Sequence, residues 1–146
     1  MQSKVCFVLL ATVAVCLAAD GKSSRVINPY VDMKVSADFW GAWRYCQNQG
    51  MQLPQITSDA EFNNFRLATA ADMNANWWTG GVDLGSTGSF VWIHSVKSVS
   101  SPIGYTNWYP GAPNNGGHCI EMKSQFWNDA DCSVVKRVVC QQKTTC

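Results

Sequence analysis

The sequence contains few charged residues and no concentration of either sign. Only 14% of its 146 residues are charged, and 11 Lys and Arg against 10 Asp and Glu give a formal net charge of +1 at pH 7. No basic stripe or polybasic tail is present. Binding to nucleic acid or to an anionic membrane requires a concentration of positive charge. The composition therefore argues against both kinds of partner.

The sequence also lacks the short motifs that mark common enzymes and zinc sites. It has no Gly-x-Ser-x-Gly elbow, no His-Glu-x-x-His helix and no Cys-x-x-Cys pair. Its only histidines are His94 and His118, and a hydrolase would have to use one of them as a base with Asp129 or Asp131. A zinc site would need the same histidines. We therefore expect a protein that binds a ligand, and a secreted hydrolase is the least favoured alternative.

Long apolar runs are absent except near the first residue. Lys4 precedes an almost unbroken apolar run over residues 5–19, and the polar Asp20 follows. This pattern is typical of a secretory signal peptide, whereas a membrane-spanning helix needs about 20 apolar residues. We predict that residues 1–19 are a signal peptide, that residues 20–25 form a polar tail, and that the mature protein is secreted and extracellular.

Cysteines are well represented, and their number is informative. Removal of residues 1–19 would leave five of the seven, which are Cys46, Cys119, Cys132, Cys140 and Cys146. Outside the cell these should oxidise. Because five is odd, at most two internal bridges can form, and the spacing does not decide which cysteines pair.

The apolar pattern predicts two helices followed by several strands. Residues 25–35 suit an edge strand. Residues 36–38 can cap a first helix that ends at residues 48–50, and Ser58 with Glu61 has the spacing of a capping box for a second. Short β-prone segments follow at residues 77–82, 89–93, 118–122 and 134–140. Long polar loops, over residues 95–107 and 109–117, separate these segments. The predicted fold class is α+β.

Several local motifs in this order resemble the C-type lectin-like domain family. Trp78-Thr79-Gly80-Gly81 resembles the family's Trp-Ile-Gly-Leu strand, and Phe90-Val91-Trp92 resembles its next aromatic strand. Gly111-Ala112-Pro113-Asn114-Asn115 resembles the long-loop sugar motif, and Trp127-Asn128-Asp129 matches the Trp-Asn-Asp motif. The resemblance extends over residues 26–141. It implies a single domain of two helices, small antiparallel sheets and a long loop region.

The resemblance also implies how the cysteines pair. In the family's short form the bridges correspond to Cys46–Cys140 and Cys119–Cys132. Cys146 would then stay unpaired in a tail of residues 142–146. We predict that it links two chains as a disulfide-bonded homodimer or heterodimer.

Sugar-binding members of this family hold Ca²⁺ through side chains that correspond here to Asn114, Asn128 and Asp129. Two acidic ligands are missing, because Ala112 stands at one family position and Gly117 at another. Calcium takes six to eight oxygen ligands, and carboxylates set its affinity. We therefore expect calcium to bind weakly or not at all, and we expect no second calcium site near Asp83.

Two functions remain open at this point. The resemblance implies a glycan or glycoprotein ligand, bound at the candidate Ca²⁺ and sugar residues Asn114, Asn128 and Asp129. The alternative is a calcium-independent, protein-binding module. Trp108, Tyr109 and His118 are secondary candidates for ligand contact, and we expect Trp108 and Tyr109 to be exposed. The other large aromatic residues are assigned to the core, and they are Trp40, Trp43, Trp78, Trp92 and Trp127.

Overall fold

The computed structural model describes residues 27–99 and 105–144, together with two short strands nearer the start of the chain. It divides into two compact units, one of Met1–Ile27 with Thr144–Cys146 and one of Asn28–Lys143. In the first unit, β1 (Val5–Val8) pairs antiparallel with β2 (Ala14–Leu17). The predicted tail of residues 20–25 and Cys146 lie outside the described residues. None of the described helices is long and apolar enough to cross a membrane.

The second unit contains the two predicted helices, each with the predicted cap. Helix α1 is Phe39–Asn48, and the Asp38 carboxylate accepts a hydrogen bond from the Gly41 N–H at 2.6 Å. Helix α2 is Asp59–Ala68, and the Ser58 hydroxyl accepts from the Glu61 N–H at 3.2 Å. A short 3₁₀ helix, Ala70–Asp72, follows. These caps satisfy backbone donors that have no partner within a helix.

Six strands form one sheet. They are β3 (Tyr30–Ala37), β4 (Trp77–Val82), β5 (Val91–Trp92), β6 (Cys119–Lys123), β7 (Phe126–Ala130) and β8 (Lys136–Gln141). The order is β3-β8-β4-β6-β7, and β5 pairs with β4. The first of these strands lies at the sheet edge, as predicted. The small antiparallel sheets that the resemblance implies are present as one sheet, in which the pairing is antiparallel except that β4 and β8 run parallel.

The sequence interpretation missed β7. The Trp-Asn-Asp segment lies in this strand, which pairs with β6 along its whole length from Cys119↔Ala130 to Lys123↔Phe126. The connection between the two strands is only two residues long, and both of them, Ser124 and Gln125, have positive φ angles of 47° and 69°. Such a turn is typically built from Asn-Gly or Asp-Gly. Because the turn contains neither of these pairs, the hairpin was not predicted.

Aromatic residues fill the core. Trp78, Trp92 and Trp127 are fully buried. Trp40 is not a core residue, which corrects the sequence assignment, because 40% of it is exposed and its ring packs edge-on against Phe39 and Trp43. Leu67 of α2 is also apolar and yet 71% exposed. The helical period places a residue on a face, but the neighbouring elements decide how far that face is covered.

The two predicted disulfides are confirmed. Cys46–Cys140 joins α1 to β8 across 94 residues of sequence, and Cys119–Cys132 joins β6 to the turn after β7 across 13 residues. In the chain-entropy model, the long loop that Cys46–Cys140 closes makes this bridge contribute about 4–5 kcal/mol to stability. The residues of the candidate site lie in the sequence between Cys46 and Cys140, so this bridge joins the two ends of the segment that contains them.

Candidate functional site

The long loop is attached at its base to β7. The Trp127 N–H donates to the Asn107 carbonyl, and the Tyr109 N–H donates to the Trp127 carbonyl, both at 2.8 Å. The loop then turns at Gly111, and the Ala112–Pro113 peptide bond is cis. Asn114 follows directly and is exposed. The backbone thus places the sugar-motif residues beside the strand that contains Asn128 and Asp129.

The Asp129 carboxylate joins β7 to this loop through two hydrogen bonds. Its Oδ1 accepts a hydrogen bond from the Asn114 N–H at 3.0 Å, and its Oδ2 accepts from the Gly116 N–H at 2.6 Å. The Asn114 side-chain oxygen accepts from the same Gly116 N–H at 3.1 Å. Asp129 is almost fully buried, with 3% of it exposed. Both carboxylate oxygens therefore already have backbone partners.

Gly117 occupies a position where no side chain fits. A Cβ atom built on this residue would lie 2.0 Å from the carbonyl carbon of Ala130 and 2.1 Å from its oxygen. Backbone atoms cannot move aside as a flexible side chain can. The shortened loop has thus closed onto the end of β7, at the position where the family resemblance leads us to expect an acidic ligand.

Asn128 is held by a buried ion pair. Its side-chain Nδ2 donates to Glu121 Oε1 at 3.0 Å, and Glu121 Oε2 lies 2.6 Å from Lys136 Nζ. The side chains of Glu121 and Lys136 are only 4% and 8% exposed. Because an ionised carboxylate can only accept hydrogen bonds, this contact fixes the orientation of the Asn128 amide. The amide oxygen of Asn128 is left as an acceptor.

Two aromatic side chains form an exposed pair beside the loop. Tyr109 is 51% exposed and Phe126 is 39% exposed, and their rings meet edge-on with centroids 5.8 Å apart. The expected exposure of Trp108 holds only in part. Its ring packs against Phe90 and Trp127, with centroids at 5.3 and 5.7 Å. Tyr109 is therefore the aromatic residue of the loop that is most available to a ligand.

Neither histidine is hydrogen-bonded to Asp129 or Asp131, the two acids that the sequence analysis considered for a hydrolase. The exposed His118 ring pairs with buried Asp83, at 2.8 Å between Nδ1 and Oδ1. His94 accepts a hydrogen bond from the Leu53 N–H at 3.1 Å. Burial, with a smaller contribution from Lys143, lowers the pKa of His94. Both histidines thus have structural partners, and neither is hydrogen-bonded to Asp129.

Asp131, the other acid considered for catalysis, caps a turn. Its Oδ1 accepts hydrogen bonds from the N–H and the hydroxyl of Ser133, both at 2.8 Å. These bonds hold the pKa of the Asp131 carboxyl below its ordinary value. The side chain thus serves the connection between β7 and β8.

The residues of the site do not fit the usual calcium ligand set. Asn114, Asn128 and Asp129 supply one carboxylate and two amide oxygens, and the two oxygens of that carboxylate already accept backbone N–H groups. Within residues 27–99 and 105–144, no group of three or more His, Cys, Asp or Glu side chains is arranged to hold a metal ion. Calcium prefers six to eight oxygens with several carboxylates.

Sequence reasoning did not identify three residues that shape this site. Glu121 was not assigned to the site, because the pairing of β6 with β7 that brings it to Asn128 was not predicted. Phe126 was not considered for the same reason. Gly117 was interpreted as a lost ligand, whereas its packing against Ala130 is visible only in three dimensions. The alternation of apolar and polar residues along residues 120–123 was the available signal for the first strand of the hairpin.

A sequence model of the C-type lectin domain matches residues 35–142. The chain therefore belongs to the C-type lectin domain family and forms a single domain of that kind. Membership supports a recognition domain of the lectin type rather than an enzyme.

Individual relatives agree with this assignment. The chain is 29% identical to salivary C-type lectin 2 of Aedes albopictus over 98% of this chain and 99% of the relative. It is 49% identical to the low affinity immunoglobulin epsilon Fc receptor of Mus musculus over 74 residues, which are 47% of this chain and 21% of the receptor. The chain thus spans about a fifth of that receptor's length.

Solved structures show the same fold. The carbohydrate-recognition domain of cow CD23, determined in the presence of a GlcNAc2Man3 oligosaccharide, has a TM-score of 0.63 and 29% identity, covering 80% of this chain and 87% of that one. The carbohydrate-recognition domain of the mouse scavenger receptor C-type lectin has a TM-score of 0.69 and 22% identity, covering 80% and 90%.

Proposed function

We propose that the chain is a carbohydrate-recognition domain that binds a glycan beside β7 and depends little on calcium. The observation behind this proposal is the closure of the long loop by Asp129. Both oxygens of that carboxylate accept backbone N–H groups, from Asn114 and Gly116. These two hydrogen bonds hold the loop against β7.

The proposed contacts follow from the chemistry of the exposed groups. Sugar hydroxyls donate hydrogen bonds, and the Asn128 amide oxygen is an acceptor because Glu121 engages the amide nitrogen. Asn114 is exposed and adds a second amide. The half-exposed ring of Tyr109 offers a face on which an apolar sugar face can stack. Polar acceptors beside an aromatic face suit a saccharide.

The weak dependence on calcium is part of the proposal. The position of Ala112 has no side-chain oxygen, and that of Gly117 has no room for one. A cation would also have to share Asp129 with two backbone donors. Since calcium affinity rises with the number of charged ligands, we expect this site to bind calcium far more weakly than one with several carboxylates.

A protein ligand at the same surface is the second candidate. The exposed pair of Tyr109 and Phe126 favours it, because aromatic side chains are enriched at protein interfaces. This pair would contact an apolar residue of a partner without any need for a saccharide.

A glycan array distinguishes these candidates. The oxidised chain is applied with millimolar-scale calcium and, separately, with a chelator. We expect binding to a subset of glycans in both conditions, and loss of binding in Asn128→Ala and Tyr109→Ala. Asn48→Ala, at the end of α1, is the matched control and should bind like the parent. Loss of all binding in chelator would contradict the calcium-independent part, and no binding in either condition would favour a protein ligand.

We also propose that the chain acts outside the cell. Two disulfides in one small domain favour an oxidising compartment, and residues 1–19 have the pattern of a signal peptide. Determining the N-terminal sequence of the secreted product would test cleavage after residue 19.

Dimerisation through Cys146 stays a prediction. Non-reducing electrophoresis should show twice the monomer mass, and Cys146→Ser should return the protein to a monomer. Migration of the native protein as a monomer would contradict it.

A further inference from the structure

A second concave site lies beside α2. A cavity of about 390 Å³ opens between the second half of α2, the connection that follows it and the tip of the β6–β7 hairpin. Its floor consists of core residues, and its mouth includes apolar side chains that face solvent. The main lining residues are Phe62, Arg66, Leu67, Met73, Trp77 and Met122.

Most of the lining is apolar, and the polar residues Asn63, Thr69, Ser124 and Gln125 line the cavity together with Arg66. Trp77 and Met122 on the floor are 2% and 3% exposed, whereas Leu67 and Met73 at the mouth are 71% and 51% exposed. Protein interiors are normally packed without voids of this size, and ligand pockets occupy about 300–1,000 Å³. The fold therefore leaves open an apolar space large enough for a small ligand.

Arg66 is the only charged residue among those that line the cavity. It is exposed in the last turn of α2, and its guanidinium lies 5.8 Å from the ring centroid of Phe62. Within the part of the chain that the structure describes, Arg66 forms no ion pair. A lone cation at the mouth of an apolar cavity complements a ligand with an apolar body and an anionic end.

We propose that this cavity binds a soluble alkyl carboxylate, such as a fatty-acid anion. The alkyl chain would occupy the space above Trp77 and Met122, and the carboxylate would pair with Arg66. The proposal does not depend on glycan binding, because none of the lining residues belongs to the loop site. It adds a second class of ligand to a domain of the lectin type.

Calorimetric titration of the oxidised full-length chain with dodecanoate, kept below its micelle concentration, tests the proposal. We expect saturable binding of one molecule. Decanoate should bind about tenfold more weakly, because it has two methylene groups fewer to bury in the cavity. Dodecyltrimethylammonium, with the same chain and the opposite charge, should bind much more weakly than dodecanoate.

Variants identify the site. Arg66→Gln should weaken dodecanoate binding about two- to fivefold, the range of an exposed ion pair. Arg44→Gln, an exposed arginine on α1, is the matched control and should leave the affinity unchanged. Leu67→Glu places an acid at the mouth and should abolish binding. Because Leu67 is 71% exposed, this change should leave the melting temperature close to that of the parent.

Several results would overturn the proposal. These are the absence of binding, equal affinity for the cationic detergent, or unchanged affinity in Leu67→Glu. Association with phosphatidylserine vesicles without any binding of monomeric dodecanoate would mean that the face contacts a membrane. A dimer that Leu67→Glu dissociates, again without dodecanoate binding, would mean that a second copy of the chain covers it.

Discussion

At the scale of single residues, three buried or partly buried polar side chains have specific partners that explain why they are tolerated. His94 accepts the Leu53 N–H, Glu121 pairs with Lys136, and Asp129 accepts two loop N–H groups. A buried polar group without a partner would cost about 1–3 kcal/mol, or more when charged. Each of these contacts can therefore be tested by stability measurements.

The first prediction concerns pH and His94. Because burial lowers the pKa of His94 in the folded protein, the unfolded chain binds more protons near the ordinary histidine pKa of about 6.5. Stability should therefore fall as the pH decreases through that region, before the carboxylates titrate. Urea unfolding midpoints between pH 7.5 and 5.5 measure this loss.

His94→Gln should remove the dependence, because a glutamine oxygen can accept the Leu53 N–H without titrating. His118→Gln is the control and should keep it, since His118 is the only other histidine in the chain. An unchanged pH dependence in His94→Gln would contradict the assignment.

The second prediction concerns the ion pair of Glu121 and Lys136. Replacing Glu121 by Ala would leave Lys136, 8% exposed, as a buried charge without its partner. The free energy of unfolding should fall by about 3–5 kcal/mol. The double variant Glu121→Leu with Lys136→Met removes both charges and should lose much less stability.

Equilibrium denaturation in urea compares these variants. Both should also lose glycan binding, because Asn128 loses the acceptor that orients its amide. A double variant as unstable as the single one would contradict the role of the unpaired charge.

At the scale of elements, agreement between sequence and structure depended on local chemistry. Both helices begin where a capping side chain precedes an apolar period, as at Asp38 and Ser58. Strand β4 was predicted with its correct bounds because its buried residues form one continuous run. Strand β7 was missed because its turn, Ser124-Gln125, lacks the residues that usually mark positive φ angles.

The site was predictable only in part for a related reason. The motif identified Asn114, Asn128 and Asp129, but the partners of these residues depend on long-range pairing. Glu121 meets Asn128 across the β6–β7 ladder, and Gly117 meets Ala130 at its end. The alternation of side chains does not by itself fix such pairing, because shifting one strand by two residues keeps the same side chains on the buried face.

The third prediction concerns the contact between the loop and β7. Gly117→Ala should lower the free energy of unfolding by about 3 kcal/mol, the upper range for overpacking, because its Cβ would lie 2.0 Å from the Ala130 carbonyl carbon. Gly116→Ala is the matched control. Its Cβ would lie 3.0 Å from the Asn114 Oδ1 atom and 3.1 Å from the Asp129 carbonyl oxygen, so that a shift of a few tenths of an ångström relieves both contacts.

Thermal unfolding followed by circular dichroism compares the two variants. We expect Gly117→Ala to be clearly the less stable. Equal melting temperatures would mean that the loop is not closed against the strand in this way.

At the scale of the whole molecule, the fold is held by a covalent frame and an aromatic core. Cys46–Cys140 connects α1 to β8, while Trp78 is buried in the cluster that includes α1, and Trp92 and Trp127 are buried in a second cluster. Neither feature requires a metal ion. Both features stabilise the domain whether or not a cation binds at the long loop.

The last prediction concerns calcium and the stability of the whole domain. Calcium at about 1 mM saturates many extracellular modules, and a ligand at a hundredfold excess over its dissociation constant adds about 2.7 kcal/mol of stability. That gain would raise the melting temperature of a domain of this size by roughly 10 °C. Here we expect a shift of no more than about 1 °C, equal to that produced by the same concentration of magnesium, because Asp129 already holds two backbone donors and Gly117 supplies no ligand. Calorimetry with each cation and with chelator measures the shift. A rise of several degrees with calcium alone, absent in Asp129→Asn, would show that the loop opens to complete a calcium site.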